Sequence, residues 1–185
     1  MRRIAFWNEK GGTCKTTLCV NVAARLAARG RRVLVVDLDT QGHAGKSLGV
    51  DVRSLSLTVR EWLLGAAPFE AVVRTPLPGI DLLPANKELA GFAAAAVASP
   101  DGADRLDRRL SSLPEGRYDL ALLDAPPSQS ILTENVLRAA RELVVPVALT
   151  YLALDGCAEV LDSLARPGAG PGCPAPRRSR PGPGR

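Results

Sequence analysis

Lys10-Gly11-Gly12-Thr13-Cys14-Lys15-Thr16-Thr17 gathers two lysines, two adjacent glycines and a Thr-Thr pair into one short segment. Residue types of this kind bind phosphate. An apolar run, Ile4-Ala5-Phe6-Trp7, precedes the segment and a helical pattern follows it, so a glycine-bearing turn leads from a strand into a helix. That arrangement aims unpaired backbone N–H groups and the positive end of the helix dipole at one anion. Lys15 adds a point charge for the phosphates, and Thr16 adds a hydroxyl for Mg²⁺. The ordinary pattern G-x-x-x-x-G-K-[ST] is not met, because Cys14 stands where its last glycine would be. A thiol at a helix N-terminus beside a lysine is also a setting for thiol reactivity.

Asn8, Asp37, Asp39 and Asp124 also sit at the ends of apolar runs. Strand-like runs alternate with helical patterns along the chain, the signature of βαβ units and a mainly parallel sheet flanked by helices. Strands are expected at 3–8, 33–37, 80–83, 118–124 and 143–149. Helices are expected at 16–29, 58–64, 102–113, 132–140 and 155–165, the first with Leu18, Val22 and Leu26 inward and Gly30 as its C-terminal cap. Ligands in such sheets collect at the carboxyl ends of the strands, so one site would gather the four polar residues. Strand alternation places Asp37 and Asp39 on one side if their strand extends that far.

Lys10 to Thr17 resembles the deviant Walker A loop, K-G-G-x-x-K-[ST], of the ParA/MinD-type P-loop ATPases. Val35-Val36-Asp37-Leu38-Asp39-Thr40-Gln41-Gly42, Leu82-Leu83-Pro84-Ala85-Asn86 and Leu122-Leu123-Asp124-Ala125-Pro126-Pro127-Ser128 resemble the partition (ParA/Soj) branch. The resemblance covers about residues 3 to 165 and implies a P-loop NTPase-like fold with ATP and Mg²⁺ as cofactors. It assigns Gly11, Gly12, Thr13, Cys14, Lys15, Thr16 and Thr17 to nucleotide binding, with Lys15 on the β- and γ-phosphates and Thr17 nearer the α-phosphate. Lys10 is the signature lysine that reaches a dimer partner's phosphates, Asp39 orients the attacking water, and Thr16 and Asp124 serve the metal, Asp124 through water. The implied activity is ATP hydrolysis in chromosome or plasmid partitioning. MgATP would drive a homodimer onto DNA without sequence preference, a ParB-type centromere-binding protein would be the partner, and the location would be cytoplasmic and nucleoid-associated. The alternatives are a MinD-like membrane-surface positioning ATPase and an inactive truncated remnant. The MinD branch ends in an amphipathic membrane helix, whereas the last residues here offer no apolar face.

At 185 residues the chain suits one α/β domain. No signal-peptide core follows Arg2-Arg3, and Cys14, Cys19, Cys157 and Cys173 form neither a C-x-x-C pair nor a zinc pattern. Residues 1–166 are expected to form the ATPase domain, incomplete at its C-terminus relative to the family. Residues 167–185, with six Pro, five Gly and four Arg, are expected to be a disordered tail. Without those arginines the formal charge falls from +5 to +1, so the basic balance is weak evidence for a DNA-binding face. On the family comparison the shortened chain is expected to turn ATP over weakly or not at all. His43, the sole histidine, reads as a polar loop residue, Ser128 as a switch-region or helix-start residue, and Arg108-Arg109 as a solvated helix face.

Overall fold

The computed structural model describes residues 1–147. Buried β-branched and leucine runs form the centre of the sheet: β1 (Arg2–Phe6), β2 (Val33–Asp37) and β5 (Leu120–Asp124), the last two buried at every position. Two antiparallel-paired strands, β3 (Arg74–Leu77) and β4 (Ile80–Leu83), and a short β6 (Glu142–Val144) complete it. The order is β3-β4-β2-β5-β1-β6, with every pairing parallel except β3 with β4. The expected mainly parallel α/β sheet is therefore present. Pro76 is tolerated within β3 because that strand is an edge and need not donate to a second neighbour.

Helices cover both faces. On one face α1 (Lys15–Ala27) and α2 (His43–Ser47) close over Val33, Val35, Leu82 and Leu122. On the other, α3 (Val59–Leu64), α4 (Phe69–Val72), α5 (Leu89–Val97), α6 (Arg105–Ser111) and α7 (Ile131–Ala139) bury Trp62, Phe92, Leu106 and Val136 against Leu34, Val36 and Leu123. The start of α3 is fixed by a capping box in which Thr58 accepts from the Arg60 N–H and Glu61 accepts from the Thr58 N–H.

Several elements differ from the sequence expectations. The stripe of α1 that meets the sheet is Lys15, Cys19 and Ala23, with Val22 and Leu26 partly buried, while Leu18 faces outward at 40% exposure. Small side chains let this helix lie close to the strands. Residues 102–104 form a 3-10 turn, so the helix expected at 102–113 is only Arg105–Ser111. The strand expected at 118–124 begins at Leu120, after Tyr118 has turned its hydroxyl to Asp81. Of the strand expected at 143–149, β6 forms at Glu142–Val144, and residues 148–149 lie outside the described residues. Four elements were not anticipated: α2, α4, β3 and α5. The run Leu89–Val97 is nearly all small and apolar, so it carries no polar face to reveal its period, and only Leu89, Phe92 and Ala96 are buried. The helix expected at 155–165 and the tail at 167–185 lie outside the described residues.

Candidate functional site

Three strand ends are brought level by the register. Phe6 pairs with Asp124, and Asp124 with Asp37, so the segments leaving β1, β5 and β2 start side by side at the carboxyl edge. Backbone bonds hold them there: Leu38 donates to the Asp124 carbonyl at 3.0 Å, and Ala125 to that of Phe6 at 3.2 Å.

The loop after β1 is braced by Asn8. Its Oδ1 accepts from the Lys10 N–H at 2.9 Å, and its Nδ2 donates to the Pro146 carbonyl at 2.8 Å, tying the loop to the segment after β6. The chain then turns through Gly12 at φ 74° and Cys14 at φ 62°. Cys14 is the only non-glycine with positive φ among the described residues, and it stands at the N-cap of α1. A left-handed residue here is what a glycine would supply without strain, which accounts for the glycine of the commoner loop.

Lys15 and Thr16 are the first two residues of α1, and Lys15 turns back into the loop. Lys15 is 7% exposed, and its Nζ donates to the Lys10 carbonyl at 3.1 Å. Burial lowers its pKa, against the opposing pull of the Asp124 and Asp39 charges. The Thr16 Oγ1 donates to Asp124 Oδ2 at 2.6 Å. Asp124 is fully buried and its other oxygen, Oδ1, has no partner among the described residues. Burial pushes its pKa up to about 6 and the Asp39 charge adds to this, while the Thr16 hydrogen bond and Lys15 oppose it.

Asp37 is also fully buried, and burial followed by the Asp124 charge raises its pKa well above the usual carboxylate range. β2 ends at Asp37, so strand alternation does not extend to Asp39. The Asp37 Oδ1 accepts from the Asp39 N–H at 3.0 Å and its Oδ2 from the N–H groups of Ala44 and Gly45 at 3.1 and 3.3 Å. Asp39, half-buried, lies in the loop this carboxylate holds, and its own Oδ1 accepts from the Gln41 N–H at 3.0 Å. Gly42 is required here: at φ 62°, a Cβ would come within 2.5 Å of the Ala85 carbonyl.

The structure thus gathers Lys15, Thr16, Asp124 and Asp39 around the carboxyl edge, with the backbone of Gly11, Gly12, Thr13 and Cys14 forming the loop and Thr17 exposed on the first turn of α1. The Lys10 side chain is exposed beside them. Ser128 lies in the loop after β5, where its carbonyl accepts from the Thr133 hydroxyl, and the next residue, Gln129, donates to Glu9 of the phosphate loop at 2.6 Å. His43 is exposed at the start of α2, and Arg108 pairs with Asp101 at 2.6 Å on α6, away from this edge. Sequence reasoning gave no role to Asn8 or Asp37 beyond their position, since nothing local shows which backbone groups a side chain will meet.

No cluster of three or more His, Cys, Asp or Glu side chains among the described residues could hold a metal by itself. The donors suit Mg²⁺, which keeps waters and takes one or two protein oxygens together with phosphate oxygens. Thr16 Oγ1 and the orphaned, buried Asp124 Oδ1 are oxygens that such an ion could use, Asp124 through water.

A parallel sheet whose first strand runs through a lysine-threonine loop into a helix, beside an aspartate at the end of a neighbouring strand, defines a P-loop nucleotide-binding protein. Comparison with known proteins narrows this. The family model described as an AAA domain matches residues 1–166. The chromosome-partitioning ATPase Soj of Thermus thermophilus is 44% identical over 170 residues, 92% of this chain and 64% of that protein. The chromosome partitioning protein ParA of Caulobacter vibrioides is 36% identical over 168 residues, 90% and 63%. A Mycobacterium smegmatis protein named cobyrinic acid a,c-diamide synthase, solved with ADP and magnesium, superimposes with a TM-score of 0.83 at 36% identity, covering 94% of this chain and 71% of that one. The chain belongs to the AAA-domain family, and the partitioning proteins Soj and ParA are among its relatives. It spans just under two thirds of the length of the two partitioning proteins.

Proposed function

We propose that this protein is an ATP-dependent partitioning ATPase, in which MgATP drives a homodimer that binds DNA without sequence preference and hydrolysis releases it. The observation that carries the reading is the meeting of Thr16 and Asp124 directly beneath the phosphate loop, with the Lys15 ammonium turned into that loop. Phosphoryl transfer is mostly positioning and charge stabilisation. Lys15 leaves the Lys10 carbonyl to neutralise the β- and γ-phosphate oxygens. The Thr16 hydroxyl and the Asp124 carboxylate would hold Mg²⁺, Asp124 through the ion's water. When bound, Mg²⁺ would supply charge neutralisation at the phosphates. Asp39 orients the attacking water, and the exposed Lys10 reaches the phosphates of the partner copy. The relatives' names support partitioning, and the M. smegmatis structure's ADP and magnesium support the cofactors. The proposed partner is a ParB-type centromere-binding protein, and the proposed location is cytoplasmic, on the nucleoid.

Among the described residues no helix is long and apolar enough to cross a membrane. Co-sedimentation with DNA and with anionic liposomes, each with and without MgATP, tests the reading beside a turnover assay. ATP-dependent capture by DNA is expected. Capture by liposomes alone would favour the membrane-surface alternative, and nucleotide binding without any turnover the inactive one. A version extended by a relative's C-terminal segment measures how much dimerisation and DNA binding the described domain carries by itself.

A further inference from the structure

We infer that Asp37 is a positioning residue for hydrolysis: its buried carboxylate fastens the loop bearing Asp39 to the end of β2, and so sets where the Asp39 carboxylate stands. The inference rests on the proposed ATPase function and assigns a role that no motif gives this residue.

A fully buried carboxylate beside a second one, Asp124, is costly, and cores do not keep such groups without compensation. The compensation here is all backbone. Oδ1 takes the N–H of Asp39, and Oδ2 takes those of Ala44 and Gly45. One donor opens the loop after β2 and two lie in the first turn of α2 that ends it, so a single side chain closes residues 39–45 against the strand end. Asp39 sits at the first of these anchors, and its own Oδ1 receives the Gln41 N–H inside the same closed loop. The close approach of Gly42 to the Ala85 carbonyl limits how the loop can move as a unit. Asp37 forms no hydrogen bond to Thr16, Lys15 or Lys10 among the described residues; its partners are the amides of Asp39 and of Ala44 and Gly45 in the first turn of α2. Removing it should therefore leave nucleotide binding largely intact and misplace the group that acts on water.

Asp37→Asn tests this. It is isosteric and relieves the repulsion between two adjacent buried carboxylates, so folding should survive. Its amide replaces one acceptor with a donor that meets a backbone N–H head on. Ala44→Pro is the independent arm, since it deletes one of the three donors at the first turn of α2, where proline is tolerated, and leaves Asp37 in place. Three quantities are read: backbone amide exchange, MgATP affinity, and the single-turnover hydrolysis rate of bound MgATP. For both variants we expect the amides of Asp39 and Gly45 to exchange at least about 10-fold faster while those of β5 are unchanged. Affinity should stay within about 3-fold and single-turnover hydrolysis should fall at least about 10-fold, a loss in the reaction step with ground-state binding kept. Unchanged exchange at these amides, or faster exchange with an unchanged hydrolysis rate, overturns the positioning role. Loss of affinity equal to the loss of rate also overturns it, because Asp37 would then act on binding. A wild-type chain that binds MgATP but never hydrolyses it refutes instead the functional reading on which the inference stands.

Discussion

The hydroxyl of Thr16 and the carboxylate of Asp124 meet at 2.6 Å although 108 residues separate them. One opens α1 and the other closes β5, and the parallel pairing of β5 with β1 sets them together. The two oxygens that the proposed function assigns to Mg²⁺ are therefore already adjacent beneath the loop, joined by one hydrogen bond.

Lys15 and Lys10 should fail differently. Lys15 is buried with its ammonium turned into the loop, so Lys15→Ala removes the cation that a bound triphosphate would contact directly. We expect MgATP affinity to fall by about 100-fold or more, as for loss of a charge-assisted contact to phosphate. Lys10 is exposed, and Lys10→Ala should keep affinity within a few-fold while abolishing ATP-dependent dimerisation and turnover. Fluorescent nucleotide titration and light scattering with and without MgATP separate the two. Equal loss of affinity in both variants would remove the trans role of Lys10.

Asp39→Ala should trap the ATP-bound state. The side chain lies in the loop beyond β2 and does not touch Lys15 or Thr16 through any hydrogen bond, so ground-state binding should persist while hydrolysis falls about 100-fold or more. Accumulation of ATP-bound dimer in a rapid-filtration assay is the expected result. Ordinary turnover would show that the acid is not used.

The paired buried acids predict a pH dependence with a definite sign. Asp124 titrates at about 6 in the folded chain, against 3.8 for a free aspartate, so the fold favours the protonated form. Its contribution is fully present below pH 3.8 and is lost as pH rises through about 6. Asp37 shifts in the same direction. Asp124→Asn should thus stabilise the nucleotide-free protein at pH 8, by about 3 kcal/mol on the linkage relation, and leave it nearly unchanged near pH 4. Urea unfolding at the two pH values measures this. The same variant should lose the Mg²⁺ dependence of nucleotide binding, and a destabilised variant at pH 8 would contradict the burial argument.

Cys14→Gly should stabilise the protein. The cysteine holds φ at 62°, a conformation that costs an L-residue about 1–2 kcal/mol and glycine nothing. Glycine's greater freedom in the unfolded chain returns part of this, leaving a net gain of about 0.5–1 kcal/mol in urea unfolding. Thiol labelling is a second readout. Cys14 is exposed and Cys19 buried, so Cys14 should label first and MgATP should protect it. Labelling of Cys14 indifferent to MgATP would place the nucleotide elsewhere.

The phosphate loop was legible in the sequence because its chemistry is local. Lys10 to Thr17 needs only a strand before it and a helix after it, and both are announced by nearby apolar residues. The central strands were legible for the same reason: runs such as Val33–Asp37 and Leu120–Asp124, buried at every position, have no other stable place in a chain of this composition. What faces what was not local. Leu18 recurs at helical spacing yet points outward, because the distance between α1 and the sheet admits Cys19 and Ala23 in its place. The helix Leu89–Val97 and the edge strand Arg74–Leu77 carry no periodic signal, and only neighbours supplied by the fold make them form. The sequence by itself determined the phosphate-binding loop, the parallel α/β class and the aspartates at the strand ends. Tertiary structure alone decided that β5 lies between β1 and β2, which brings Asp124 under Thr16 and turns Asp37 into the fastening of the loop that carries Asp39. Strand order is set by which long-range burial closes the sheet, and no local run of residues encodes it.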